Sequence, residues 1–335
     1  MHLIISRSFR LLIISTLLIR TIIILSRSNW LFIWCGIEIN LLRFIPLIMI
    51  SNKFQEQEAA TKYFLIQALG SRLILIASTS IWLNKTILEP SYVLTAALII
   101  KLGIAPCHFW FPSVITSISW INCLILSTWQ KLGPLRVIAV AIQSSCIPKI
   151  FIILSSINSI LGGLIGLNQR KVKSILAYSS ITHMGWITRI LIIYNPVKTI
   201  TYFIIYSILL LPIFAIFHNI SITTQPQLQK ACSSYKYINI ILPIIILSIR
   251  GIPPLTGFFP KLITIYALIP SYPAIIIIII IGAIINIFFY LNLTFSIITA
   301  PTQINKYQLK QPSFKSTLII TTFLLLIAPI RILII

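Results

Sequence analysis

The chain has 335 residues, 58% hydrophobic and 9% charged, with a mean hydropathy of +1.02. A soluble core is excluded, because apolar runs near 20 residues recur from end to end, and that length crosses a hydrocarbon core of ~30 Å. The net charge of +22 invites nucleic acid as a partner, but the basic residues form no stripe with interleaved aromatics and many lie inside apolar segments, so none is expected.

Polar breaks and Pro/Gly signals divide this all-α, polytopic membrane protein into about eleven transmembrane helices. They fall near 3–25, 29–50, 59–83, 91–111, 114–147, 149–168, 171–193, 198–222, 238–268, 272–298 and 316–335. Met1 leads straight into the first span, with no small-residue cleavage site and no amphipathic presequence, so that span is expected to be retained. Connections are short except 223–237 and 299–315. With this count, alternate loops lie on opposite faces. The second, sixth, eighth and tenth carry Lys53, Lys62, Arg170, Lys171, Lys173, Lys230, Lys236, Lys306, Lys310 and Lys315, whereas the odd loops carry Arg27, Lys85, Lys149 and Lys198. The basic face is the side from which insertion occurs. The N-terminus, with Arg7 and Arg10, shares it, and an odd helix count sends the C-terminus across. Cys35, Cys107, Cys123, Cys146 and Cys232 are far apart, without a CxxC pair, and read as small packing residues rather than a disulfide, zinc or iron–sulfur framework.

Five ionisable residues interrupt the hydrocarbon: Glu38, Lys101, Lys131, His183 and Lys261. A lone charge at the bilayer centre costs ~2.5–3.5 kcal/mol on insertion scales, so such groups face a bundle interior and mark an ion or proton path. With Asn29 opening the second helix, Glu38 lies nine residues in, ~14 Å along the axis and about half-way through the core. Lys101 reaches similar depth. Burial destabilises an ammonium and an approaching carboxylate restabilises it, so a Glu–Lys pair can hold or release a proton as its geometry changes. Lys131, in Trp129-Gln-Lys-Leu-Gly-Pro134, follows most of a helix, and the alternative is that it snorkels to an interface. His183 has Ser179 and Thr182 at i−4 and i−1, which allows one polar strip of hydroxyls and imidazole. Haem ligation competes poorly, because His2, His108 and His218 offer no clear pairing across helices. The five residues are expected at similar membrane depth, as one polar axis.

One internal repeat stands out. Gly103-Ile-Ala-Pro106-Cys-His108-Phe-Trp-Phe111-Pro112 and Gly251-Ile-Pro-Pro254-Leu-Thr-Gly-Phe-Phe259-Pro260 share G-I-x-P-(x)4-F-P, 148 residues apart. Each lies within an apolar span, and a proline inside a helix removes a hydrogen bond and clashes with the preceding turn. Both spans are therefore expected to be discontinuous, near 103–112 and 251–260, with unwound backbone facing a cavity. Matched interruptions in two halves point to an inverted-repeat transporter. His108 reads equally as a relay or as a satisfied cavity histidine. Gly162 and Gly166 form a GxxxG that permits close helix approach. No G-x-G-x-x-G, Walker loop or HExxH occurs. The chain has no aspartate, and Glu56, Glu58 and Glu89 lie in expected loops, so paired-carboxylate hydrolysis has little support.

At these residues a family resemblance becomes specific. Trp34-Cys-Gly-Ile-Glu38-Ile-Asn40, Glu58-Ala-Ala-Thr-Lys62, Lys101 through Pro106, Phe109 through Pro112, Thr128-Trp-Gln-Lys131, Gly166-Leu-Asn-Gln169, Leu176 through Trp186 and Gly251 through Lys261 resemble the mitochondrial NADH–ubiquinone oxidoreductase chain 2 family. The resemblance implies two inverted five-helix repeats, at 1–147 and 148–298, followed by a loop and C-terminal helix at 299–335. It implies a proton-translocating core subunit of respiratory complex I in the mitochondrial inner membrane, with its basic face toward the matrix. Neighbouring antiporter-like subunits and lipids such as cardiolipin would be its partners. Glu38 and Lys101 would form the interacting pair, Lys131 the central lysine, His183 the intervening histidine and Lys261 the lysine of the second broken helix. The chain would bind no cofactor of its own, while the whole complex uses NADH, FMN, iron–sulfur clusters and ubiquinone. A stand-alone cation/proton antiporter and a structural subunit without conduction are the alternatives.

The resemblance also bears on the sequence itself. Isoleucine supplies 80 residues and methionine three, whereas the family mixes the two freely. Arg43, Arg72, Arg189 and Arg250 fall where burial is expected, and four glutamates cannot pair eleven arginines. Both anomalies follow if AUA was read as Ile and AGA/AGG as Arg in a gene whose mitochondrion reads them as Met and Ser. If every arginine arose so, the net charge falls to +11.

Overall fold

The computed structural model describes residues 2–299 except 27–28, 51–52, 84–89, 144–149, 194–195, 221, 235, 254 and 271–272. The expected helix near 316–335 lies outside the described residues, as do Cys146 and Glu89. The chain divides between Ser155 and Ser156 into two compact units. Among the described residues every element is a helix, apart from an isolated antiparallel bridge between Lys171 and Thr224.

The first unit contains α1 (His2–Ser26), α2 (Trp30–Met49), α3 (Phe54–Leu83), α4 (Pro90–Leu102), α5 (Trp110–Ser117), α6 (Trp120–Ser127) and α7 (Trp129–Gln143). Asn29 caps α2, its side-chain oxygen accepting from the Leu31 amide at 3.2 Å, as its residue type favours. The Trp34 indole donates to the Ser71 carbonyl at 3.0 Å, tying α2 to α3.

The span expected as one helix over 114–147 is instead α5, α6 and α7 in sequence. Ile118 adopts an extended conformation, and the Asn122 amide is drawn off to the Leu47 carbonyl of α2 at 2.9 Å. At the second joint the Thr128 hydroxyl and the Thr128 amide both take the Leu124 carbonyl, at 2.7 and 3.0 Å. Hydroxyl back-bonding of this kind bends a helix.

The second unit takes in most of α8 (Ile150–Leu167), then α9 (Val172–Ile192), α10 (Pro196–Ile220), α11 (Gln225–Ser234), α12 (Lys236–Arg250), α13 (Phe258–Leu268) and α14 (Pro273–Ile298). Segment 223–237, expected as a loop, contains the polar helix α11. Its start is capped by Gln227, whose side-chain oxygen accepts from the Thr223 amide and hydroxyl and from the Thr224 amide, at 3.0, 2.7 and 3.3 Å. Leu228 and Cys232, one turn apart, bury the inner face. The Gln225 amide donates to the Arg170 carbonyl at 3.2 Å, and the Val172 amide to the Thr223 carbonyl at 3.1 Å. Two connections expected on the same basic face thus touch.

Among the described residues, four helices are long and apolar enough to cross a membrane: Trp30–Met49, Phe54–Trp82, Pro196–Ile220 and Ile275–Ile298. Shorter apolar helices include α4, α12 and α13. Ile277, Ile281, Ile284, Phe288 and Phe295 form one exposed apolar stripe along α14, a surface suited to lipid. The cysteines divide: Cys123 and Cys232 are buried, as packing residues should be, while Cys35 and Cys107 are exposed.

The GxxxG serves packing. A Cβ on Gly162 would stand 2.4 Å from Thr182 Cγ2 and 2.8 Å from the Tyr178 carbonyl, so α8 lies against α9 with no room for a side chain. Gly162→Leu is expected to cost about 2 kcal/mol or more by overpacking. Thermal unfolding of the purified complex and the amount of assembled chain would measure it.

The four arginines also divide. Arg43 and Arg72 are exposed on this chain, which corrects their expected burial and removes the desolvation argument at those two positions. Arg189 and Arg250 are 1% and 2% exposed. All four glutamates precede residue 90, so the second unit contains no acidic side chain to compensate them. The Arg250 guanidinium lies 3.5 Å from the Tyr290 ring centroid and donates to Asn286 Oδ1 at 3.2 Å, both neutral partners. A buried cation without a carboxylate costs on the order of several kcal/mol. Peptide masses of the natural protein are expected to show serine at 189 and 250; arginine at both would end the alternative-code reading.

Candidate functional site

Each unit contains an interrupted helix, and the interruption positions the charged residues. In the first unit α4 stops at Leu102, Gly103 turns with φ +65°, and the chain re-enters helix at Trp110. Glycine bears a positive φ without the strain other residues would meet. The expected break over 103–112 is therefore shorter, and Pro112 belongs to the first turn of α5, where its missing N–H has no intrahelical partner to lose. The second unit repeats this: α12 stops at Arg250, Gly251 turns at φ +68°, and Pro260 lies in the first turn of α13. A Cβ on Gly257 would lie 1.7 Å from the Ser248 carbonyl oxygen, so the loop folds directly onto the helix end.

The carbonyls at each interruption have side-chain partners. The Trp110 indole donates to the Ile100 carbonyl at 3.0 Å and the Gln67 amide to the Lys101 carbonyl at 3.4 Å. In the second unit the Lys261 ammonium donates to the Arg250 carbonyl, a backbone acceptor indifferent to the side chain at 250.

Lys101 is 5% exposed, and its stem crosses α3 at Gly70, where a Cβ would lie 2.8 Å from Lys101 Cγ. Glu38, half-buried on α2, is the carboxylate near enough to act on the Lys101 charge. Lys131 is 4% exposed, with Nζ 4.6 Å from the Phe111 ring centroid, a cation–π contact made inside the unit rather than at an interface. Tyr63, Gln67, Lys101, Trp110, Phe111, Gln130 and Lys131 share one small cavity. The structure thus brings Glu38, Lys101 and Lys131 into one unit and buries both lysines there.

His183 and Lys261 belong to the second unit. Ser179 and Thr182, the hydroxyls expected beside His183, each donate to their own helix, at the Leu176 and Ser179 carbonyls, 2.7 Å away in both cases. His183 Nδ1 pairs with the Tyr202 hydroxyl of α10 at 3.0 Å, and its ring lies 4.8 Å from that of Tyr206. Lys261 is buried, with Nζ 5.9 Å from the Trp186 ring centroid. His108 is buried within the first interruption, beside the ring of Phe109.

Sequence reasoning missed the neutral polar residues that complete the site. Asn40, Tyr63, Gln67 and Gln130 surround Lys101, and Tyr202 and Tyr206 flank His183. Their signal was present in amides inside apolar helices and in tyrosines one turn apart, each needing a buried partner for its polar atoms.

A family model described as NADH:quinone oxidoreductase/Mrp antiporter, TM, matches residues 27–286. The chain is 44% identical over 292 residues to the NADH-ubiquinone oxidoreductase chain 2 of Lumbricus terrestris, covering 87% of each chain. It is 39% identical over 339 residues to that of Peropteryx macrotis, covering 95% of this chain and 96% of the relative. Among solved structures it resembles a chain of respiratory complex I from Thermus thermophilus with bound Aureothin, at a TM-score of 0.83 and 21% identity, over 95% of this chain and 77% of the other. A chain of the Mrp complex from a Dietzia species is similar at a TM-score of 0.71 and 17% identity, over 86% and 59% respectively. At such identities the structural likeness is one of fold.

Proposed function

We propose that this chain, which belongs to the NADH:quinone oxidoreductase/Mrp antiporter family and within it to the NADH-ubiquinone oxidoreductase chain 2 family, is a proton-translocating core subunit of respiratory complex I. It works among the other membrane-arm subunits, in the mitochondrial inner membrane with lipids such as cardiolipin around it. Electron transfer from NADH to ubiquinone takes place elsewhere in that complex. This chain contributes groups that take up and pass on protons.

The observation that carries the reading is the burial of Lys101 and Lys131 around one small cavity, with Glu38 acting on Lys101. A purely structural subunit gains nothing from two buried ammonium groups, since each must be taken out of water. Moving Glu38 relative to Lys101 changes the cost of holding the lysine proton, and Lys131, against Phe111, is positioned to receive it. In the second unit, His183 with Tyr202 and Lys261 with the end of α12 supply the continuing groups. On this reading residues 1–147 and 148–298 are the two repeats, with the N-terminus on the matrix side.

Lys101→Ala or Lys131→Ala in the assembled complex is expected to lower proton-coupled quinone reduction by on the order of a hundredfold, the usual scale for loss of a proton-transfer group. NADH oxidation by an artificial acceptor is expected to stay unchanged, because the reaction with that acceptor bypasses the membrane arm. Equal loss of both activities would instead indicate an assembly defect, and full retention of coupled activity would favour the structural alternative.

A further inference from the structure

Two cavities, each of about 10 Å³, adjoin Lys101 in the first unit. Tyr63, Gln67, Lys101 and Gln130 line both; Lys131 lines the first, and Asn40 the second. Each is at the size threshold for one water molecule, and such a space fills only when two or more polar groups face it.

The polar groups are there. Asn40 Nδ2 donates to Gln130 Oε1 at 3.1 Å, which leaves Asn40 Oδ1 and Gln130 Nε2 buried without protein partners. Lys131 Nζ is a third such atom. A buried donor or acceptor left unmet costs about 1–3 kcal/mol, and water bridging supplies the missing bonds at little entropic cost. Both residues are fixed by this one amide pair: with Oε1 taken by Asn40, the Gln130 nitrogen is committed to the other side.

We propose that the Asn40–Gln130 amide pair is a water-holding gate between Lys101 and Lys131, with Gln130 the positioning residue that decides whether the two lysines share a hydrogen-bonded water path. A side-chain amide is suited to this because it offers a donor at one end and an acceptor at the other. With Oε1 on Asn40, Nε2 donates to a water that also accepts from Lys131. Release from Asn40 lets the amide turn over and present its oxygen to the same water, which reverses that water's orientation. No covalent bond is made to Gln130 in either state; the proton stays with water and the lysines. This gate rests on the proton-translocating reading above.

The test uses the assembled complex in sealed vesicles. Gln130→Leu keeps the volume and removes both polar ends. It is expected to lower coupled quinone reduction and proton uptake together by on the order of tenfold, the worth of one neutral hydrogen bond. Artificial-acceptor activity should be unchanged and the solvent deuterium isotope effect on coupled turnover increased. Gln130→His, which keeps one donor and one acceptor nitrogen on a single side chain, is expected to restore most of the loss; failure to do so would mean that Gln130 serves packing and would overturn the gate. A high-resolution map of the unmodified complex decides the matter even if the leucine variant does not assemble. Ordered water within hydrogen-bonding distance of Gln130 Nε2 and Lys131 Nζ supports the gate, and dry cavities overturn it. Lys131→Ala separates the two levels of inference. If it is inactive while Gln130→Leu pumps normally, the gate alone falls; if it too pumps normally, the proton-translocating reading falls with it.

Discussion

Inside a bilayer every backbone carbonyl must find a donor within the protein, because lipid offers none. A continuous helix meets this demand by itself, whereas one that stops half-way has orphan carbonyls at its end. Both interruptions in this chain answer it with side chains from elsewhere in the fold: Trp110 and Gln67 in the first unit, Lys261 in the second. The polar residues around each break follow from that need, and the need explains why they cluster where the helix ends rather than being scattered.

The same demand shapes the energetics of charge. In the first unit Lys101 and Lys131 are surrounded by neutral polar groups and aromatic faces, with Glu38 the nearby carboxylate. Such surroundings reduce the desolvation cost of an ammonium without fixing it in a tight ion pair. A tight pair would hold its proton through any small movement, whereas a loosely supported lysine responds to modest changes in its neighbours. The second unit has no acidic side chain, and its buried cations are met there by a carbonyl, a side-chain amide and ring faces. The two units therefore reach a comparable burial of lysine by different chemistry, despite sharing the G-I-x-P motif.

Where one physical signal dominated, the sequence was easy to read. The Asn29 cap, the two glycine turns and the burial of Lys101, Lys131, His183 and Lys261 follow from residue type and position alone. Three features were harder. The joints at Ile118 and Thr128 depend on Asn122 reaching Leu47 and on a hydroxyl competing for the Leu124 carbonyl, neither visible in hydropathy. Helix α11 is short and polar, and it is recognisable only once Gln227 is seen to cap it and Leu228 with Cys232 to bury one face. The pairing of His183 with Tyr202 was hidden because Tyr202 lies on another helix, whereas Ser179 and Thr182 are nearer in the chain.

The bond from Lys261 to the Arg250 carbonyl joins two jobs in one side chain. It terminates α12, and it belongs to a residue whose charge can change. A charged donor makes a stronger hydrogen bond than a neutral one, so the ammonium of Lys261 is a firm anchor for the last turn of α12. Gly257, lodged against the Ser248 carbonyl, leaves the loop no slack to absorb a looser hold. The end of α12 is thereby fastened by a side chain of the next helix, so the shape of the interruption and the position of the Lys261 charge are set together.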